Sequence, residues 1–193
     1  MGNERAQWRR ELRRRRRSIP ASVRIAAAQS LAARLLALPF APTAGAVAGY
    51  WAMDGEIALH AWQLALPPGL TYCLPVLCED ALLRFAPWRP GEPLAGNRHG
   101  IPEPKVAPSA LLEGAQLSLV VVPLVGFDAG CQRLGMGGGW YDRTFAAHTT
   151  PPWLVGAAFA SQQVERLPIE PWDVALDAVC TERDSLIRTE APA

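Results

Sequence analysis

Lysine is nearly absent from this chain. Of 19 basic residues only Lys105 is lysine, and the rest are arginine. A GxxxxGK[ST] loop is therefore missing, and with it the commonest lysine-bearing cradle for nucleotide phosphates. Long apolar runs are missing too. None approaches the roughly 20 residues that a helix needs to cross a bilayer, and the basic N-terminus lacks the following apolar segment of a signal peptide. The four cysteines, Cys73, Cys78, Cys131 and Cys180, form no CxxC pair. Their spacing suggests neither a zinc site nor a disulfide framework, so they read as core or strand thiols of a reducing, cytoplasmic compartment. No Ser/His/Asp or Cys/His spacing supports covalent catalysis. His60 and His148 are given no catalytic part; His99 is read as an exposed loop residue, with a ligand contact as the alternative.

The 193 residues, half of them hydrophobic, suffice for one domain, 1–193, with a sizeable core. Charge is unevenly spread. Residues 9–17, RRELRRRRR, hold seven arginines and one glutamate, so they carry +6 of a net +1 and all other residues together carry −5. Such a block is compatible with nucleic-acid binding, with a solvated helix face, or with phosphate binding by one or two of its arginines. Trp8 and Leu12, four apart, give the segment a narrow apolar stripe and favour a helix docked on a protein body over a nucleic-acid arm.

Residues 4–17 read as a helix. Pro20 opens a second over 21–37, with Ile25, Leu31, Leu35 and Leu36 on its apolar side. GAVAGYWAM (45–53) reads as a buried strand closed by Asp54-Gly55, and 57–66 as a helix. Segments 71–77 and 82–88 read as strands paired through a turn at Glu79-Asp80, with Pro75 marking the first as irregular or at an edge. Five prolines make 89–108 a long loop, functional or mobile. A short helix at 109–114, a strand at 117–123, a helix at 140–147 and strands at 153–160 and 177–182 complete the reading. Wholly apolar strands alternating with helices predict a three-layer α/β fold, an open and mostly parallel sheet with helices on both faces. Ligands in such sheets bind beyond the carboxyl ends of the strands. That singles out residues 50–56, 133–142 and those before the last strand.

Residues 120–145, VVVPLVGFDAGCQRLGMGGGWYDRTF, are the most informative stretch. A β-branched strand runs into a loop with four glycines in five positions (Gly135, Gly137, Gly138, Gly139), followed by Trp140-Tyr141-Asp142-Arg143. Glycines at this density mark sharp turns or close backbone approach to a ligand. A strand–loop–helix of this kind aims free N–H groups at an anion. Arg133 adds a cation and Asp142 a carboxylate. A GxGxxG reading fails because its third glycine position is Trp140.

The string GFDAGCQRLGMGGGWYDR resembles the signature of the 5-formyltetrahydrofolate cyclo-ligase (5,10-methenyltetrahydrofolate synthetase) family, a pattern like FDxxGxRLGxGxGYYD. GIPEP (100–104), YWAMDGEI (50–57), the arginine-rich N-terminal helix and PWDVALDAVCTE (171–182) resemble further family segments in the same order. The resemblance implies an enzyme that uses ATP and magnesium to close 5-formyltetrahydrofolate to 5,10-methenyltetrahydrofolate, releasing ADP and phosphate. The formyl oxygen is phosphorylated, nitrogen 10 attacks the activated carbon, and phosphate leaves. Such chemistry asks for positioned phosphates, neutralising cations and exclusion of water.

The same resemblance assigns residues. Arg133, Leu134, Gly135, Gly137, Gly138, Gly139, Trp140 and Tyr141 correspond to the ATP-binding stretch, with Arg5 and Arg9 as its basic partners from the first helix. Arg133 and Asp142 are the catalytic pair. Asp142 and Asp173 match the two magnesium carboxylates, with Asp177 as the alternative to Asp173. Trp51, Glu56 and Trp140 fall at folate contacts. The family usually has lysine at Arg5 and tyrosine at Trp140. The expected partner is the folate, with or without a polyglutamate tail, and the expected state is a cytoplasmic monomer without nucleic acid or membrane. The rival readings are a nucleic-acid-binding protein acting through residues 9–17 and a member of the same family that binds without turnover.

Overall fold

The computed structural model describes residues 2–147 and 149–189, so His148 lies outside the described residues. Helix α1 (Gly2–Arg17) ends in four arginines, Arg14 to Arg17, which suit the negative end of its dipole. Helix α2 (Ala21–Leu36) follows Pro20, whose fixed φ opens the first turn. Then come β1 (Gly45–Ala48), α3 (His60–Leu64), β2 (Leu70–Leu77) and β3 (Leu83–Pro87). A small ribbon of β4 (Leu94–Gly96) and β5 (Pro102–Pro104) precedes β6 (Leu119–Pro123). A second ribbon, β7 (Gly126–Phe127) with β8 (Arg133–Leu134), leads through the glycine loop into α4 (Trp140–Thr144). Strands β9 (Trp153–Ala157), β10 (Ala178–Cys180) and β11 (Ser185–Ile187) finish the chain.

The main sheet has seven strands in the order β11-β10-β9-β6-β1-β2-β3. Its five inner strands run parallel, while β3 and β11 pair antiparallel at the edges. Because side chains alternate across a strand, each inner strand feeds two cores. Val47, Leu119, Val121 and Val155 face the core covered by α2 and α3. Ala48, Val120, Val122, Leu154 and Val179 face the opposite core, closed by Phe127 and by Phe145 just after α4. Burial on both faces explains why these strands read as unbroken apolar runs. The three-layer, mostly parallel α/β architecture expected from the sequence is observed; its second outer layer consists of the short α4, the β7–β8 ribbon and irregular chain.

Several boundaries differ from expectation. The strand predicted over 45–53 stops at Ala48, although Gly49 still donates to Cys73 O at 3.0 Å and packs so closely on Tyr72 that a Cβ there would clash with the phenol. The chain leaves the sheet and is held by the Tyr50 hydroxyl donating to Ile57 O at 2.8 Å. Pro75 lies in an interior strand, but pairing of β1 with β2 ends at Cys73, so Pro75 sits where β2 outruns β1 and no N–H is needed on that side. The predicted loop 89–108 contains the β4–β5 ribbon, with Pro102 and Pro104 at its ends. The helix expected at 109–114 is two single 3₁₀ turns, Pro108–Ala110 and Gly114–Gln116. Helices 57–66 and 140–147 shrink to α3 and α4. The strand at 177–182 is not the last, since β11 returns beside it. Ile25 on α2 is 65% exposed, and alanines 27, 28 and 32 supply the buried face instead.

Strand order reverses between β1 and β6: the chain steps from β1 to β2 on one side and later from β6 outward to β9 and β10 on the other. That switch point opens a crevice at the carboxyl ends of the strands.

Candidate functional site

A cavity of about 790 Å³ occupies that crevice. Its floor is the chain just past β1 and β6, including Tyr50, Pro123 and Leu124. One wall is the glycine loop with α4, another is the inward side of α1, and the β4–β5 ribbon contributes Asn97, His99, Ile101 and Glu103. A second cavity, about 730 Å³, lies across the glycine loop and shares Gly137, Gly138, Gly139, Asp142, Trp172 and Asp173 with the first.

On the glycine side, Gly137 and Gly139 adopt positive φ, 99° and 66°, and Gly139 caps α4 in the left-handed region. Only glycine takes those angles without strain. Among the described residues, none accepts a hydrogen bond from the N–H groups of residues 135–139. Arg133, 8% exposed, pairs with Asp142 Oδ1 at 2.6 Å and lies over the Tyr141 ring at 5.9 Å. Asp142 Oδ1 also accepts from Val174 N–H at 3.2 Å. Burial lowers the Arg133 pKa and the Asp142 charge opposes that shift. Burial also pushes the Tyr141 phenol well above its ordinary value, so it stays neutral. Two guanidinium groups lie over the Trp140 ring, Arg98 at 5.3 Å and Arg143 at 5.1 Å from its centroid. Such cation–π contacts fix an aromatic plane at the cavity wall.

Helix α1 reaches across the opening. Arg5, Arg9, Leu12 and Arg16 fall on one helical face, a span of about 16 Å from first to last. Arg5 holds Asp173 with two bonds, 2.5 and 3.2 Å, and also donates to Pro168 O at 3.2 Å. Arg9 donates to Gly135 O at 2.9 Å and lies against Gly137. Leu12 packs on Gly126 and is fully buried. At the far end, Arg13, Arg16 and Arg17 converge on Asp54, a turn residue with φ 52°. Glu56 follows in the same turn, its Oε2 accepting from Met53 N–H at 2.9 Å and its Oε1 3.6 Å from Arg16. Burial pushes the Glu56 pKa up; the Met53 N–H and the Arg16 charge pull it back. Trp51 stands at the rim, 38% exposed, edge-on to Trp88 at 5.9 Å.

Arg5, Arg9, Trp51, Glu56, Arg133, Gly135, Gly137, Gly138, Gly139, Trp140, Tyr141, Asp142 and Asp173, all singled out from sequence, thus line one cavity. Leu134 does not: its side chain is fully buried in the core and its carbonyl accepts from Val125 N–H at 2.7 Å. Asp177 also lies elsewhere, accepting from Leu154 N–H at 2.7 Å between β9 and β10, whereas Asp173 reaches both cavities. His60 is exposed on α3, and His99 is both an exposed ribbon residue and part of the cavity rim. Sequence reading passed over Asn97 and Glu103. Glu103 accepts from Leu77 N–H at 2.9 Å and from Asn97 Nδ2 at 2.7 Å, which fastens the ribbon to β2. Met53, Met136 and Trp172 were also missed; with Trp51 they leave large apolar surface exposed around the mouth. All three lie within the family-like segments, but no chemistry was assigned to them.

Asp142 and Asp173, each paired with an arginine, are two carboxylates of the cavity lining that could hold a metal ion. Both lie on the same wall, and the Arg5 guanidinium held by Asp173 also feels the Asp142 charge. Among the described residues, no group of three or more His, Cys, Asp or Glu side chains could hold a metal ion. Two carboxylates without further protein ligands fit magnesium, which keeps several waters and takes the rest of its shell from substrate phosphates.

Comparison with known proteins gives the family. The model of the 5-formyltetrahydrofolate cyclo-ligase family covers residues 1–182. The chain is 37% identical over 180 residues to the 5-formyltetrahydrofolate cyclo-ligase of Escherichia coli strain K12, covering 88% of this chain and 96% of that protein. It is 38% identical over 177 residues to the protein of the same name from Haemophilus influenzae, covering 90% and 95%. In fold it resembles the 5,10-methenyltetrahydrofolate synthetase of Aquifex aeolicus, with a TM-score of 0.82, 24% identity and 98% and 95% coverage.

Proposed function

The chain belongs to the 5-formyltetrahydrofolate cyclo-ligase family, and we infer that it performs ATP-dependent closure of 5-formyltetrahydrofolate to 5,10-methenyltetrahydrofolate in the cavity at the β1/β6 switch point. One observation carries the reading. A single cavity joins a cationic, glycine-rich wall suited to phosphates with an aromatic wall that holds a buried carboxylate. The first suits ATP and the second a pterin, whose adjacent ring N–H and amino group are donors for Glu56. A charged acceptor strengthens both bonds.

In this reading the formyl oxygen attacks the γ-phosphorus and the bond to the β-phosphate oxygen breaks, releasing ADP. Nitrogen 10 then attacks the activated formyl carbon, loses its proton, and phosphate departs. The protein supplies position and charge. The N–H groups of residues 135–139 and the guanidinium groups of Arg5, Arg9 and Arg133 take up phosphate charge. Arg5 and Arg133 each rest on a carboxylate in the free protein, Asp173 and Asp142, and exchange it for phosphate oxygens when ATP enters. Asp142 and Asp173 would hold magnesium, which when bound would supply positive charge against the phosphate oxygens. Trp140 and Trp51 bound the folate side.

The test is an absorbance assay with purified protein, 5-formyltetrahydrofolate and ATP, following the methenyl chromophore in the near ultraviolet. Product should form only with ATP, and a chelator should abolish it until magnesium is restored. Folate binding without product would favour the non-catalytic relative.

A further inference from the structure

Among the described residues Arg16 is the most deeply buried charged residue, 0% exposed. A guanidinium in such a place is costly unless its donors are used. Here Nε donates to Asp54 O at 3.1 Å, Nη2 to Asp54 Oδ2 at 2.9 Å and Nη1 to Leu124 O at 3.2 Å, while Nη1 lies 3.6 Å from Glu56 Oε1. The planar fork thus joins α1, the turn after β1 and the chain after β6. All three border the cavity.

The partners of Arg16 are not equally dependent on it. Asp54 also receives Arg13 and Arg17, and Leu124 O also accepts from Gln162 Nε2 at 3.1 Å. Glu56 is different. Among the described residues, Arg16 is the one cation within ion-pair distance of its carboxylate. The groups around Glu56 are Arg16 from α1, Asp54 in its own turn, Tyr50 at the end of β1 and Tyr141 from α4. Of these side chains only Arg16 favours the charged carboxylate; the Met53 N–H, 2.9 Å from Oε2, favours it too and fixes the other oxygen.

We propose that Arg16 is a positioning residue for folate recognition: from behind the cavity wall its guanidinium, 3.6 Å from Oε1, acts with the Met53 N–H on Oε2 to aim the Glu56 carboxylate at the pterin. The proposal rests on the reading of Glu56 as the pterin acceptor. It gives the far end of the arginine block a task in substrate binding without any contact to ATP. Lysine would not replace Arg16, because one ammonium cannot span three acceptors in the geometry of the fork.

The test is a double-mutant cycle read by equilibrium binding of 5-formyltetrahydrofolate to the full chain. Arg16→Met fills the space and leaves Asp54 and Leu124 their other partners. It should weaken folate binding about tenfold, the loss expected when a charge-assisted bond becomes poorly aimed or neutral. In a Glu56→Gln background the same substitution should change the dissociation constant less than about twofold, since its target is gone. The ATP KM should stay within about twofold of wild type, as at a site outside the phosphate wall. In Arg16→Met, binding should also be lost at higher pH than in wild type as pH falls, because Glu56 without its cation takes up a proton more readily. Arg16→Lys should fall between the two and serves as the reading if the methionine variant does not fold. Equal losses in both backgrounds would assign Arg16 a general structural role and overturn the proposal. An unchanged dissociation constant in Glu56→Gln alone would overturn the pterin contact itself. A loss in Glu56→Gln with none in Arg16→Met would overturn only the link between them.

Discussion

The two halves of α1 carry the same residue to different ends. In the first half, Arg5 and Arg9 open onto the cavity, one holding Asp173 and the other the Gly135 carbonyl. In the second, Arg13, Arg16 and Arg17 gather on Asp54, while Arg14 and Arg15 stay outside and pair with Glu11 at 2.9 Å. What separates them is the acceptor that the fold brings opposite. The first pair faces groups that a phosphate can displace. The later ones are committed to a turn carboxylate, and the exposed ion pairs add little to stability. A run of arginines is therefore not one feature, and its total charge says little about its use.

Substitutions can sharpen that contrast. The largest effect should come from Asp142→Asn, which keeps an oxygen for Arg133 but removes the carboxylate. A fall in kcat of about a hundredfold or more is expected, on the scale of losing one preorganised electrostatic group, with near-native circular dichroism. A near-wild-type rate at saturating magnesium would remove Asp142 from the machinery. Next come two changes four residues apart. Arg9→Gln should raise the ATP KM about tenfold and barely move Tm, whereas Arg13→Gln should lower Tm by a few degrees, or about 1 kcal/mol, and leave the ATP KM alone. If both variants shift the same quantity, the division of the helix is wrong.

The smallest and most selective effect is on acid stability. Although burial opposes its ionisation, hydrogen bonds from Arg13 and Arg17 and the nearby charges of Arg13 and Arg16 hold the Asp54 carboxyl at about 2. A depressed acid adds stability that is complete above its unfolded pKa, about 3.9, and is lost as pH falls through the folded value. Asp54→Asn should therefore have a lower Tm than wild type at neutral pH, with the gap closing between about pH 4 and 2. A gap that stays constant over that window would mean that the arginines do not stabilise the charged form.

Legibility varied with the kind of information. The parallel sheet was readable because Val120–Val122 and Trp153–Ala157 are apolar on both faces, a pattern that few other environments produce. The glycine loop was readable because its unusual backbone needs glycine at Gly137 and Gly139. The folate and ATP assignments came through resemblance, and the cavity brings those residues together apart from Leu134. Two kinds of information were hidden. The inward face of α1 is built from Arg5, Arg9, Leu12 and Arg16, so a search for apolar periodicity finds only Leu12 on that face. The β4–β5 ribbon has strands of three residues with prolines at paired positions, too short for alternation to register; Asn97 and Glu103, which anchor it, therefore read as loop.

The sequence by itself determined the order of elements, the two-sided burial of the inner strands and the loop conformation that glycine permits. All of these are local, set by backbone sterics and by hydrophobic period. Only the tertiary structure decided which arginine meets which carboxylate. Asp54 and Glu56 lie 37 to 41 positions from the α1 arginines they engage, and Asp173 lies 168 from Arg5. The attraction between such charges has no periodicity along the chain; it depends on distance and burial, and both arise only when the sheet has closed around the switch point.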